Sequence, residues 1–324
     1  MSTLNCSEPF PIPDMYTMYE NFTDTQFLLF SIAGALNIAV VIVGILHILN
    51  IWKYISDEKI RSKLYILALM FPIIASLAFV SMISPRSGSI FSSIGVLYIL
   101  FCVYTVTSLC RFIYGSREQL STVLNNHEAT LSFQVPPCCC CMVCLPKAIP
   151  SERNLKIVEC LTLQGPIIRA FIVILNCHFL AEKREDSEVL LQITELSGIL
   201  SLLFTIFGAH TMAKLTAQYV RKFKVVTMFR FVDISLALFT AQLPLIFDLI
   251  LVKFGIIECG PILSAMSNAK YIYNFVVICE MSLLSLLATR LLLPEKCALF
   301  DKTPERLLER GRNSEEKKLT KNLT

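Results

Sequence analysis

Along the chain, apolar positions gather into seven runs, at 27–51, 64–83, 90–114, 165–181, 189–213, 225–252 and 269–293, separated by shorter polar intervals. A helix needs about 20 apolar residues to cross the hydrocarbon of a bilayer, so each run reads as a transmembrane helix. The first ends at Trp52, the only tryptophan, where an interfacial anchor belongs. The second carries Pro72, which is tolerated in a span because neighbouring helices satisfy the freed carbonyl. The fourth is short and opens on Gly165-Pro166, and proline suits a first helical turn. The sixth is long enough to tilt. The pattern predicts an all-α integral membrane protein of seven transmembrane helices. It divides into a segment at 1–26, a seven-span domain at 27–293 with its longest polar interval at 115–164, and a tail at 294–324.

Composition strengthens this reading. Hydrophobic residues make up 55% of the 324, charged residues 17%, and mean hydropathy is +0.63, against about 45–50% apolar and about 25% charged in soluble domains. Residues 1–26 hold Glu8, Asp14, Glu20 and Asp24 without a basic n-region or an apolar h-region, so no cleavable signal peptide is expected.

The net charge of +4 says less than its placement. On one side of the predicted membrane lie four basic residues, Arg86, Lys183, Arg184 and Lys253, against twenty in the first, third and fifth loops and the tail. Basic loops stay cytosolic, which predicts the N-terminus outside and the C-terminus in the cytosol. The sequons at Asn5 and Asn21 then fall on the translocated side and are expected to be glycosylated. The tail after Pro294 reads as a solvated, mixed-charge segment.

Cytosolic placement gives the most unusual stretch its chemistry. Cys138, Cys139, Cys140, Cys141 and Cys144 put five thiols in seven residues of the 115–164 loop. A disulfide framework is disfavoured in a reducing compartment. Adjacent cysteines do not converge easily on a tetrahedral zinc; only Cys141-x-x-Cys144 has a familiar spacing, and the second Cys-x-x-Cys of a ribbon is missing, which leaves a metal site as a lesser alternative. Thiols beside apolar residues at the inner leaflet suit S-acylation, each chain adding about 0.8 kcal/mol per buried CH₂; unmodified thiols are the bland alternative. One disulfide among Cys6, Cys177 and Cys259 on the outer side is allowed.

Charges within the spans are the remaining candidates. Arg111, Arg169, His210 and Arg290 fall near cytosolic helix ends, where snorkelling accounts for them. Arg230 and Asp233, three apart on one helix, share a face and can pair. Glu195 lies about two turns below the outer surface by helical rise, and Asp248 near an outer helix end. Glu280 is mid-span with no opposite charge within a turn. An ionisable group at that depth costs about 2.5–3.5 kcal/mol on insertion scales, so it faces another helix or an aqueous cavity, with Gln242 as the candidate hydrogen-bonding partner. A transport role and a role as helix-bundle glue both remain open for Glu280.

Several stretches resemble one family. Pro72, Ser76 and Pro85-Arg86-Ser87, then Gly115-Ser116-Arg117-Glu118, the cysteine run followed by Gly165-Pro166, Lys224 through Arg230 to Gln242, and Glu280 through Arg290 are similar to the organic solute transporter alpha subunits. Here Met142-Val143 interrupts the cysteine run, and Ser116-Arg117 stand where the family has Gly-Lys. The resemblance implies a seven-span, N-out protein of the plasma membrane. It would pair with a single-span beta subunit and pass bile acids, steroid conjugates and similar amphipathic anions down their gradients. Arg169 and Arg230 are the candidates for attracting the anionic head, with Glu195, Asp233, Gln242 and Glu280 as further transport candidates. The implied partners are that beta-type subunit, an amphipathic organic anion or sterol, and membrane lipids. A homo-oligomer is also allowed, and nucleic acid, metal and cofactor have no place.

Independently, the chain has no Walker A pattern, no His-Glu-x-x-His and no Gly-x-Ser-x-Gly, so neither nucleotide-driven pumping nor enzymatic chemistry is expected. The rival class is a seven-span receptor or a partner-dependent scaffold. Against a receptor, the third span ends in Cys110-Arg111-Phe112 rather than Asp/Glu-Arg-Tyr, and the seventh lacks Asn-Pro-x-x-Tyr.

Overall fold

The computed structural model describes residues 13–136, 147–182, 187–260 and 263–303. The cysteine run, Asn5 and Cys6 lie outside them. Among the described residues seven helical spans are long and apolar enough to cross a membrane, and no strand is present beyond one isolated bridge between Leu131 and Ala148.

A short helix, α1 (Met15–Glu20), leads into the first span, α2 (Asp24–Tyr54). There Thr23 accepts from the Gln26 backbone while the Gln26 side chain accepts from Thr23, which satisfies two otherwise orphaned donors. The second span comes in two pieces, α3 (Glu58–Ala68) and α4 (Met70–Ile83). The cause is Pro72, which has no N–H to return to the preceding turn. At this break the Tyr98 hydroxyl, from the third span, donates to the Ile66 carbonyl at 2.9 Å. The Pro72 ring lies so close to α2 that a Cβ on Gly44 would stand 2.3 Å from its Cγ; only glycine permits this approach.

The third span, α5 (Gly88–Ile113), is the hub, packed against α3, α4, α7, α8 and α9. Gly115, at a φ of +87°, turns the chain out of it into α6 (Arg117–Asn126), which Ser116 caps. The fourth and fifth spans, α7 (Glu152–Glu182) and α8 (Ser187–Thr216), form the most extensive helix pair. The sixth begins as α9 (Val225–Gln242) and continues through Pro244 as a π-helical stretch, Leu243–Val252. The seventh is α10 (Ala265–Leu291), packed on α2, α4 and the π stretch.

Two features differ from expectation. The fourth span begins at Glu152, not near Gly165, so Pro166 lies inside a helix. And the segment after α10 is not simply solvated. Cys297, Leu299, Phe300 and Thr303 are buried, the Cys297 thiol donates to the Phe223 carbonyl, and Lys302 N–H donates to the Tyr54 carbonyl. Asp301 accepts from the Ser56 backbone at 2.9 Å. Ten residues of the tail therefore strap the first and fifth loops together.

At the end of the bundle that carries α6, a second small core forms where Leu120, Leu124 and Leu131 meet Leu155, Val158 and Met212. Cys259 is disulfide-bonded and Cys177 is free.

Candidate functional site

The outer walls of the bundle are ordinary lipid-facing surface; α2 is mostly exposed, with Ile42, Leu49 and Trp52 pointing outward. The interior is not filled. In the half that carries α1, the helices splay around a cavity of about 680 Å³, within the range of sites that enclose drug-sized ligands, about 300–1,000 Å³. Its walls come from α5, α7, α8, the α9–π helix and α10, and the buried Met18 of α1 also lines it.

Small residues make the room. Ser89, Ser92 and Ser93 line it from α5, and Gly165 and Gly198 from α7 and α8. Gly165 is fixed by contact, since a Cβ there would stand 2.2 Å from Thr205 Oγ1. Beside it Gln164 donates to the Ser201 carbonyl and to Thr205 Oγ1, and accepts from Ser201 Oγ. This seam locks α7 to α8 at the edge of the cavity, where Gly165 and Ser201 are part of its wall.

Three cations and two carboxylates line the cavity: Arg86, Arg169 and Lys270 against Glu195 and Asp248. Arg169 is the most enclosed. Its Nη2 donates to Ser93 Oγ at 3.1 Å, its Nη1 lies 3.5 Å from Glu195 Oε2, and its buried Nε has no partner. Gly198 leaves space for it, since a Cβ there would stand 3.3 Å from Nη1. Glu195 is half exposed and receives Asn176 Nδ2 at 3.4 Å. Lys270 lies near enough to Asp248 to act on its charge. Asp14, the N-cap of α1, has its carboxyl held below the usual range first by the Thr17 hydroxyl and then, among other contributions, by the charge of Arg86.

The sequence placed Arg169 at a cytosolic helix end, snorkelling. The structure corrects this: because α7 starts thirteen residues earlier, Arg169 sits within the membrane and points into the cavity. Arg230 and Asp233 do not form an ion pair among the described residues. Arg230 is exposed, and Asp233 meets His210 Nε2 at 3.4 Å on α8. Gln242 and Glu280 are brought together, the Gln242 amide donating to Glu280 Oε1 at 2.9 Å, away from the cavity wall. Sequence reasoning passed over Lys270 and Ser93 as site residues, because nothing in their local pattern marks the face they present. It also missed Glu159, a buried carboxylate on α7 that receives Arg111 at 3.2 Å and Arg117 at 2.7 Å. Arg111 therefore does not snorkel, and the Glu159 carboxylate pushes the Arg117 guanidinium further up.

The family described as Organic solute transporter Ostalpha matches residues 29–295. The chain belongs to the organic solute transporter alpha family. It is 40% identical to organic solute transporter alpha-like protein 3 of Caenorhabditis elegans, over 92% of this chain and 86% of that one. Alpha-like protein 2 of the same organism is 28% identical over 94% and 89%. An alpha-like protein of Drosophila melanogaster is 27% identical over 50% and 48%. No solved structure matches the chain. This member of the family is a multi-pass membrane protein with a transporter's role.

Proposed function

We propose that the protein is a facilitated carrier of amphipathic organic anions of the bile-acid and steroid-conjugate kind, acting at the plasma membrane as the alpha subunit of a complex with a single-span beta subunit. The observation that carries the reading is the cavity: serine, glycine and apolar side chains make a wide, mainly greasy chamber, and Arg169 inside it is only partly neutralised. A planar, cationic fork in a low-dielectric chamber suits a sulfate or carboxylate head, while the apolar wall takes the hydrocarbon body. The distribution of Lys and Arg supports an orientation in which the α1 end, and hence the cavity mouth, is outside. Asn21, exposed at the C-terminal end of α1, is then available for glycosylation, as is Asn5 by its sequon. The same distribution supports a cytosolic side for the sequence stretch of five cysteines, whose thiols are then available for acylation.

Uptake of labelled estrone sulfate or taurocholate into vesicles bearing the chain, with and without a single-span beta-type partner, tests the reading. Saturable uptake that needs neither ATP nor an ion gradient is expected. Vesicles that take up no more than protein-free ones, under either condition, rule it out.

A further inference from the structure

The large cavity ends abruptly. On α9 its deepest lining residue is Phe239, on α5 it is Leu100 and on α7 Gly165. A second, smaller cavity of about 110 Å³ opens in the half that carries α6, between α2, the broken second span, α9 and α10, with His47 and Thr289 hydrogen-bonded to each other at 2.8 Å on its wall. Its lining reaches Val232 on α9. A step of seven positions from Val232 to Phe239, about 10 Å of helix, separates the two cavities along α9.

One buried face of α9 spans this gap. Met228, Val232, Ser235 and Phe239 follow the three-and-four spacing of a helical stripe, and all four are buried. Phe239 is seated in a recess made by Gly95 of α5, where a Cβ would stand 2.6 Å from its ring. The Tyr273 hydroxyl donates to the Phe239 carbonyl at 2.7 Å, holding the backbone at that point. One turn beyond the ring, Ser235 is fully buried and its hydroxyl has no partner; the same is true of Thr105 on α5 and Ser285 on α10. Buried hydroxyls normally find a partner, and a bare one costs about 1–3 kcal/mol. Apolar residues would fill a permanently dry core better. Just past Phe239 the helix changes to π geometry at Leu243–Val252, with Pro244 at its start, and such interruptions are places where a helix bends.

We infer that Phe239, resting on Gly95, is the barrier between two vestibules of one permeation path, and that the path continues past it along Ser235 to the 110 Å³ cavity. The bare hydroxyls are then wetted or touched by solute when the barrier opens, and the π stretch is the flexure that lifts Phe239 from its recess. This rests on the transport reading, and it adds which residue closes the path and where the path runs.

Full-length protein carrying Ser235→Cys, in membrane vesicles, is treated from the cavity side with a membrane-impermeant thiosulfonate, and modification at position 235 is followed by mass spectrometry. With Phe239 in place the site is expected to react slowly. With Phe239→Ala it is expected to react at least 10-fold faster, and with Phe239→Leu at an intermediate rate. Ser92→Cys, on the cavity wall, is expected to react alike in all backgrounds and reports that the fold and the chamber persist. A position-235 rate that does not change with Phe239, while position 92 reacts, overturns the barrier. Steroid sulfate uptake by the unsubstituted chain is read in the same vesicles. Flux with an indifferent position 235 removes the barrier and leaves transport standing; a responsive position 235 without flux keeps the barrier and removes the assigned substrate.

Discussion

Replacing Arg169 by glutamine removes the enclosed cation while leaving a polar side chain to meet Ser93. The magnitude follows from what holds the guanidinium now. Its contact with Glu195 is 3.5 Å long and Glu195 is half exposed, so that pair resembles a surface ion pair, about 0–1 kcal/mol. A hydrogen bond to a charged group contributes about 1.5–3 kcal/mol. An anionic head that displaces Glu195 therefore gains about 0.5–3 kcal/mol, and its loss raises apparent KM by about 2- to 150-fold. The assay is concentration-dependent vesicle uptake of a steroid sulfate, with surface abundance measured alongside. The sign of a second variant guards the argument. Glu195→Gln removes the competitor for Arg169 and is expected to leave KM unchanged or lower it severalfold, whereas loss of a merely structural pair would impair both variants alike. An Arg169→Gln protein with normal abundance and unaltered KM refutes the reasoning.

Three further outcomes follow from the same geometry. Glu159→Gln leaves the guanidinium groups of Arg111 and Arg117 facing a neutral partner. Removing one member of a buried pair costs about 3–5 kcal/mol, which their partial exposure reduces to about 2–3 kcal/mol, seen as a lower melting temperature in detergent; an unchanged melt contradicts the burial argument. Gly165→Ala forces a Cβ against Thr205 and is expected to destabilise by about 1–3 kcal/mol, with Thr205→Ala restoring part of the loss in the double variant, as thermal unfolding would show. Glu280→Gln keeps the hydrogen bond to Gln242 and lies off the cavity wall, so uptake is expected to stay within about twofold of the parent, the coupling of the pair being of the order of 0.6 kcal/mol; a loss of flux at normal abundance would return Glu280 to the transport path.

The seven spans were legible because a bilayer-crossing helix writes itself as a long apolar run, whatever its neighbours do. Where partners decide the outcome, the run misleads. The stretch before Gly165 holds Glu152, Arg153, Lys156 and Glu159 and looked like loop, but Glu159 is paired by residues 48 and 42 positions earlier, and the helix runs straight through it. The i,i+3 spacing of Arg230 and Asp233 allowed a pair on one helix, but His210 on α8 took the carboxylate. Gln242 and Glu280 were paired correctly because depth alone matched them. The cavity was not legible: it depends on how α7–α8 and α9–α10 splay about α5, and no single helix records that. The docked segment at 294–303 escaped for a similar reason, since its buried positions are too few to form a pattern.

Photolabelling with a diazirine-bearing steroid sulfate, followed by peptide mapping, tests the central claim most directly. The account predicts adducts on the cavity-facing stretches of α5, α7 and α8, around Ser92, Arg169 and Gly198, suppressed by excess unlabelled steroid sulfate. Adducts confined to the outward faces of α2 and α8, or labelling that competitor does not reduce, would contradict it.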